Sequence, residues 1–96
     1  MNTKIKDFLP IGSIVILKDS EQPLMIYGIM QSDGEKRLFK KIKLFDYVSV
    51  HYPQGNLRPE MNFLFNHEDI KEIIFRGYES EERSKFLDEL VKRYEK

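Results

Sequence analysis

At 96 residues the chain is large enough for one domain with a single small core, and with no cysteine it can build neither a disulfide framework nor a thiolate metal site. Sixteen basic and sixteen acidic side chains cancel, which removes the broad attraction to phosphate backbones or anionic lipid that a basic protein has. A composition of 41% hydrophobic and 33% charged residues is that of a folded chain, not a disordered one.

The first residues, MNTKIKDFLPIGS, lack the long apolar core of a signal peptide, and uninterrupted apolar runs such as Ile14 to Leu17 are too short to cross a bilayer. The expectation is a soluble, cytoplasmic protein with no self-contained export signal and no membrane partner. Order is expected from about Phe8, after a frayed beginning. Pro10 and Gly12 punctuate the approach to a first strand over 13–18, whose Ile14-Val15-Ile16-Leu17 run implies burial on both faces, or on one face plus a partner.

Asp19 to Pro23 is turn chemistry, and a second strand over 24–31 follows, with Gly28 in its middle. The run is apolar enough to compete as a helix. Gly28 and the bounding turn residues favour a strand with a bend, a bulge or a close approach of another backbone, the device by which a small sheet curls. Asp33-Gly34 reads as a hairpin tip. The next segment, KRLFKKIK from Lys36 to Lys43, reads as an extended or irregular arm, with a helical turn through Leu38, Phe39 and Ile42 as the alternative.

A third strand over 45–52 alternates Phe45, Tyr47, Ser49 and His51 on one face with Asp46, Val48, Val50 and Tyr52 on the other. A loop holding Pro53, Gly55 and Pro59 leads to a fourth strand over 61–65, with Met61, Phe63 and Phe65 expected inward. Asn66-His67-Glu68-Asp69 has the chemistry of a capped turn, and a fifth strand over 72–76 ends at Gly77. Ser80 is a good N-cap for a helix over 81–94. Glu81 and Glu82 lie at its start, Lys92 and Arg93 at its end, and i,i+4 pairs are expected at Glu81–Lys85, Asp88–Lys92 and Glu89–Arg93. Phe86, Leu87, Leu90, Val91 and Tyr94 form one stripe, to be covered by the chain's own sheet or by a partner. The fold class expected is α+β, mainly β: a small curled antiparallel sheet or SH3-like barrel of about five strands with a C-terminal α-helix.

No catalytic constellation stands out. His51, His67, Glu68 and Asp69 are the only candidates for metal or acid–base chemistry. Three of them crowd one tight turn, where convergence on one ion needs help from elsewhere, so no metal, cofactor or enzyme activity is expected. Lys36, Arg37, Lys40, Lys41 and Lys43, interleaved with Phe39, are a candidate patch for single-stranded nucleic acid. Zero net charge, nearby Asp33, Glu35 and Asp46, and the lack of an RNP-type aromatic motif argue for a solvated, charge-protected edge instead. Tyr27, Tyr47, Tyr52 and Phe39 are candidate protein-binding residues, because aromatics dominate interface anchors; the alternative is that they are simply core.

In order along the chain, LPIGSIVILK, LMIYGIMQ, FDYVSVHYPQGN and FNHEDIKEIIFRGYESEERSKFLDEL resemble the small Gram-positive domain-of-unknown-function family numbered 4176, from Leu9 to about Leu90. The FDY, YPxGN and NHEDI strings carry the resemblance. It implies an accessory role in Firmicutes beside type VII secretion genes and LXG-type toxins, with a secreted toxin or its small helical companion as the partner bound in the cytoplasm before export. It implies no enzyme activity and no established active site. Phe45, Asp46, Tyr47, Tyr52, Pro53, Gly55, Asn56, Asn66, His67, Glu68 and Asp69 transfer only as motif positions.

Overall fold

The structure, a computed structural model, describes residues 3–32 and 44–95. Five strands, β1 (Ile14–Leu17), β2 (Leu24–Ser32), β3 (Leu44–His51), β4 (Phe63–Phe65) and β5 (Ile70–Phe75), form one antiparallel sheet in the order β4-β3-β2-β1-β5. Helix α1 (Glu81–Tyr94) ends the fold. The curled-sheet form of the expected class is the one observed. The barrel is not, because β4 and β5 are the two edges and do not pair with each other. All five strands differ in their bounds from the sequence reading, β4 and β5 the most. β4 is shorter because Pro59–Met61 forms a 3₁₀ turn, whereas β5 begins earlier, directly after the turn at His67–Asp69.

Gly28 does what its place in an apolar strand suggests. The β2–β3 register slips between Ile26 and Gly28, and a Cβ at Gly28 would lie 2.7 Å from Cγ1 of Val48. The bulge brings Val48 against bare backbone. β3, flanked on both sides by strands, is buried on both faces from Asp46 to Val50. The hairpin tip at Asp33-Gly34, the Lys36–Lys43 arm and its alternative helical turn lie outside the described residues.

Order begins before Phe8. Ile5–Asp7 forms a 3₁₀ turn with Ile5 buried, and the Ile5 amide donates 2.6 Å to the Glu95 carboxylate at the far end of the chain. This turn, with Phe8 and Leu9, joins Val15, Leu24, Ile26, Tyr47, Phe65 and Leu87 in the core. Ser80 caps α1 by accepting the Arg83 amide at 3.0 Å. Of the expected helix pairs Glu81–Lys85 forms; Asp88 pairs with Lys6 of the N-terminal turn, and Glu89 with Lys92. The inward set expected on β4 is only partly inward. Phe65 is buried, but Phe63 lies at the open edge stacked on His51, and Met61 has left the strand for the 3₁₀ turn.

Candidate functional site

The two most distinctive sequence strings meet. Across the β3–β4 side of the sheet, the Asp46 amide donates to Asn66 Oδ1 at 3.0 Å, and Asp46 Oδ2 accepts the His67 amide at 2.8 Å. Asp69 Oδ2 accepts the Asn66 amide at 2.9 Å, closing the 3₁₀ turn on itself. The buried Tyr47 hydroxyl accepts the Leu9 amide at 2.9 Å and lies 2.7 Å from His67 Nδ1. Burial pushes the Tyr47 hydroxyl up to about 12; the Leu9 amide opposes this and the nearby Asp46 adds to it. Asp46 Oδ1 is buried with no hydrogen-bond partner among the described residues. These contacts clamp the FDY and NHED strings together, and with them the N-terminal segment.

This geometry corrects one of the sequence-based contact residues. Tyr47 is fully buried, because β3 is the inner strand between β2 and β4 and the Phe8-Leu9 segment covers the ring. It cannot reach a partner. Tyr27 and Tyr52 are each 44% exposed. Tyr27 spans β3 to accept a hydrogen bond from Asn62 Nδ2, while the Tyr52 backbone is tied to Pro23 and Gln22. Phe39 and the basic residues Lys36, Arg37, Lys40, Lys41 and Lys43 lie outside the described residues. Among the described residues no three His, Asp or Glu side chains are grouped to hold a metal ion, and no helix is long and apolar enough to cross a membrane.

An apolar concavity lies at the other end of β3 from Tyr52. Phe86, Leu90 and Tyr94 of α1 face Ile29, Met30, Leu44 and Phe45 across a cavity of about 310 Å³. A second cavity of about 240 Å³, reaching Ile11 and Tyr78, adjoins it and shares Ile29 and Phe86 as a common wall. The helical stripe is therefore split. Leu87 is buried and Leu90 and Val91 pack against the core, whereas Phe86 and Tyr94 remain 55% and 59% exposed. Met30 holds its place in the wall with φ +53°, a left-handed backbone that L-residues rarely adopt. Such a groove, wide enough for large side chains and lined by aromatic and aliphatic groups, suits the apolar face of an amphipathic helix.

Sequence reasoning missed the strand side of this groove, Ile29, Met30, Leu44 and Phe45. The signal was the width of the helical stripe. Five large apolar residues on a helix of under four turns are more than a narrow sheet flank and one 3₁₀ turn can cover.

No curated protein and no solved structure matches this chain. The family model of a domain of unknown function (DUF4176) matches residues 8–86, which take in all five strands and the first six residues of α1, and the chain belongs to that family.

Proposed function

We propose that this protein is a non-enzymatic, cytoplasmic protein-binding module, an accessory chaperone or targeting factor that holds a type VII secretion effector of LXG type, or its small helical companion, before export. The observation that carries the reading is the open apolar groove along α1, where Phe86 and Tyr94 stay exposed beside a sheet end that could have covered them. Exposed aromatics at the rim of a concavity are the side chains that anchor partners. The occupant is an amphipathic helix, which fits helical effector segments and their helical companions. The type VII association comes from the family resemblance and supplies the partner class. The groove supplies the means.

The test is titration of the purified chain with the helical N-terminal segment of the LXG effector, or the small helical protein, encoded beside it. Binding is expected, and Phe86→Asp should weaken it by about 2 kcal/mol or more, as loss of a central aromatic anchor does. Tyr52→Ala, at the opposite end of β3, should leave the affinity unchanged. Binding that is lost with Tyr52→Ala and kept with Phe86→Asp would move the site to the Tyr52 end. No binding of either candidate would overturn the reading.

A further inference from the structure

We infer that α1 is also a self-association surface, on which a second copy of this chain docks antiparallel through the face that carries Phe86. Beside exposed Phe86 the helix presents Glu82, Lys85, Glu89 and Arg93, a negative-positive-negative-positive order along its length. Turned end to end, that order becomes its own complement. In an antiparallel pair Glu82 meets Arg93 of the second copy and Lys85 meets its Glu89, and the two-fold axis makes each contact twice. A parallel pair would set like charge on like charge. Such a contact is isologous and closes at two copies.

The chain leaves these charges free to exchange. Arg83, the cation of the first turn, is committed to the Phe8 carbonyl at 2.8 Å, and Asp88 to Lys6. The pairs that hold Lys85 and Glu89 are loose, with Glu81–Lys85 and Glu89–Lys92 both at 3.8 Å and exposed. The exposed ion pairs fix register and direction more than affinity. Affinity comes from the seam. In this register Phe86 stands opposite Glu89 of the second copy and next to its Leu90, at the mouth of the cavity beside Tyr94, so the exposed ring of each copy caps the other's groove. The docked pair covers the groove of the free protein, and a client helix has to displace the second copy.

This inference uses the same helix as the client reading but does not rest on it. The experiment is sedimentation of the purified full chain over a concentration series, for the wild type, Glu82→Lys, Arg93→Glu, the Glu82→Lys/Arg93→Glu double swap and Phe86→Asp. Circular dichroism of each variant establishes that α1 is intact. The expected result is a wild-type dimer, weakened at least about tenfold by either single charge change. The double swap, which restores opposite charges at every contact, recovers the dimer, and Phe86→Asp abolishes it. A wild-type monomer throughout the micromolar range would overturn the inference and leave the client reading standing. A dimer that ignores both single changes, or that the double swap fails to rescue, would overturn it too, because the pairing would then run through another surface.

Discussion

The Tyr47 hydroxyl lies 2.7 Å from Nδ1 of His67, and through this contact the inner strand β3 holds the turn that opens β5. The same oxygen accepts the Leu9 amide at 2.9 Å, so one buried atom ties together three segments distant in sequence. Tyr47→Phe keeps the ring packing against Phe8 and Phe65 but leaves the Leu9 amide and His67 Nδ1 without their partner. A buried group left unpaired costs about 1–3 kcal/mol, so the variant should fold and lose that much stability in urea unfolding. Tyr47→Ala removes the ring as well and should cost about 3–5 kcal/mol. An unchanged midpoint for Tyr47→Phe would show that the contact contributes nothing.

The same residue predicts a loss of stability in alkali. Burial raises the Tyr47 hydroxyl from its ordinary 10.0 to about 12. The folded state holds this proton more tightly than the unfolded chain does, so the contribution is whole below about pH 10 and is lost as pH rises through about 12. Tyr47→Phe lacks the titrating group. The stability gap between wild type and Tyr47→Phe should therefore narrow between pH 9 and pH 11.5 in urea titrations run roughly at those two values. A gap that stays constant would mean that Tyr47 ionises as readily folded as unfolded.

Two glycines should differ in what an added methyl group costs. At Gly28 a Cβ would meet the Cγ1 of Val48 at 2.7 Å, and at Gly77 it would meet the backbone carbonyl oxygen of Ile11 at 2.1 Å. A valine side chain can shift slightly. The Ile11 carbonyl is harder to move, because Gly12 is bonded to the Ile26 carbonyl and Ser13 to that of Pro10. Gly28→Ala should cost about 1–3 kcal/mol, within the usual range for overpacking, and Gly77→Ala clearly more. Thermal or urea unfolding of the two variants gives the order directly. The reverse order would mean that the Ile11–Ser13 segment yields more readily than the sheet interior.

Strand number, strand order along the chain, the Gly28 irregularity and the capped terminal helix were legible in the sequence because each rests on local chemistry: alternation, a glycine inside an apolar run, a serine before two glutamates. The fate of Tyr47 was not legible. Alternation says which residues of a strand share a face, but whether that face meets water depends on strand order, and nothing local to β3 makes it an inner strand. The choice between an open sheet and a barrel was left undecided for a similar reason, since closure depends on whether β4 and β5 meet at long range. Ile5 was overlooked because a lone apolar residue among lysines carries no periodic signal; it is buried through contacts with the other end of the chain. The groove combined both difficulties. Its helix side was visible as a stripe, whereas its strand side comes from β2 and β3 ends that only the tertiary fold brings beneath α1.

Met30 offers a separate test of the groove wall. Its φ of +53° puts an L-residue in the left-handed region, at a cost of roughly 1–2 kcal/mol that glycine avoids. Met30→Gly relieves this strain but gives up the packing of a half-buried side chain and adds freedom to the unfolded chain, worth about 0.5–1 kcal/mol. These terms oppose one another, so the stability of Met30→Gly should stay within about 1 kcal/mol of wild type. Met30→Val places a β-branched side chain on the same strained backbone with no relief, and should cost about 1–3 kcal/mol. Urea unfolding of the pair separates the cases. If glycine proves as damaging as valine, Met30 matters for its side chain and not its backbone. If the expected split appears, the strained position is held by the surrounding fold, and a groove-bound helix should then bind Met30→Gly more weakly despite its intact stability.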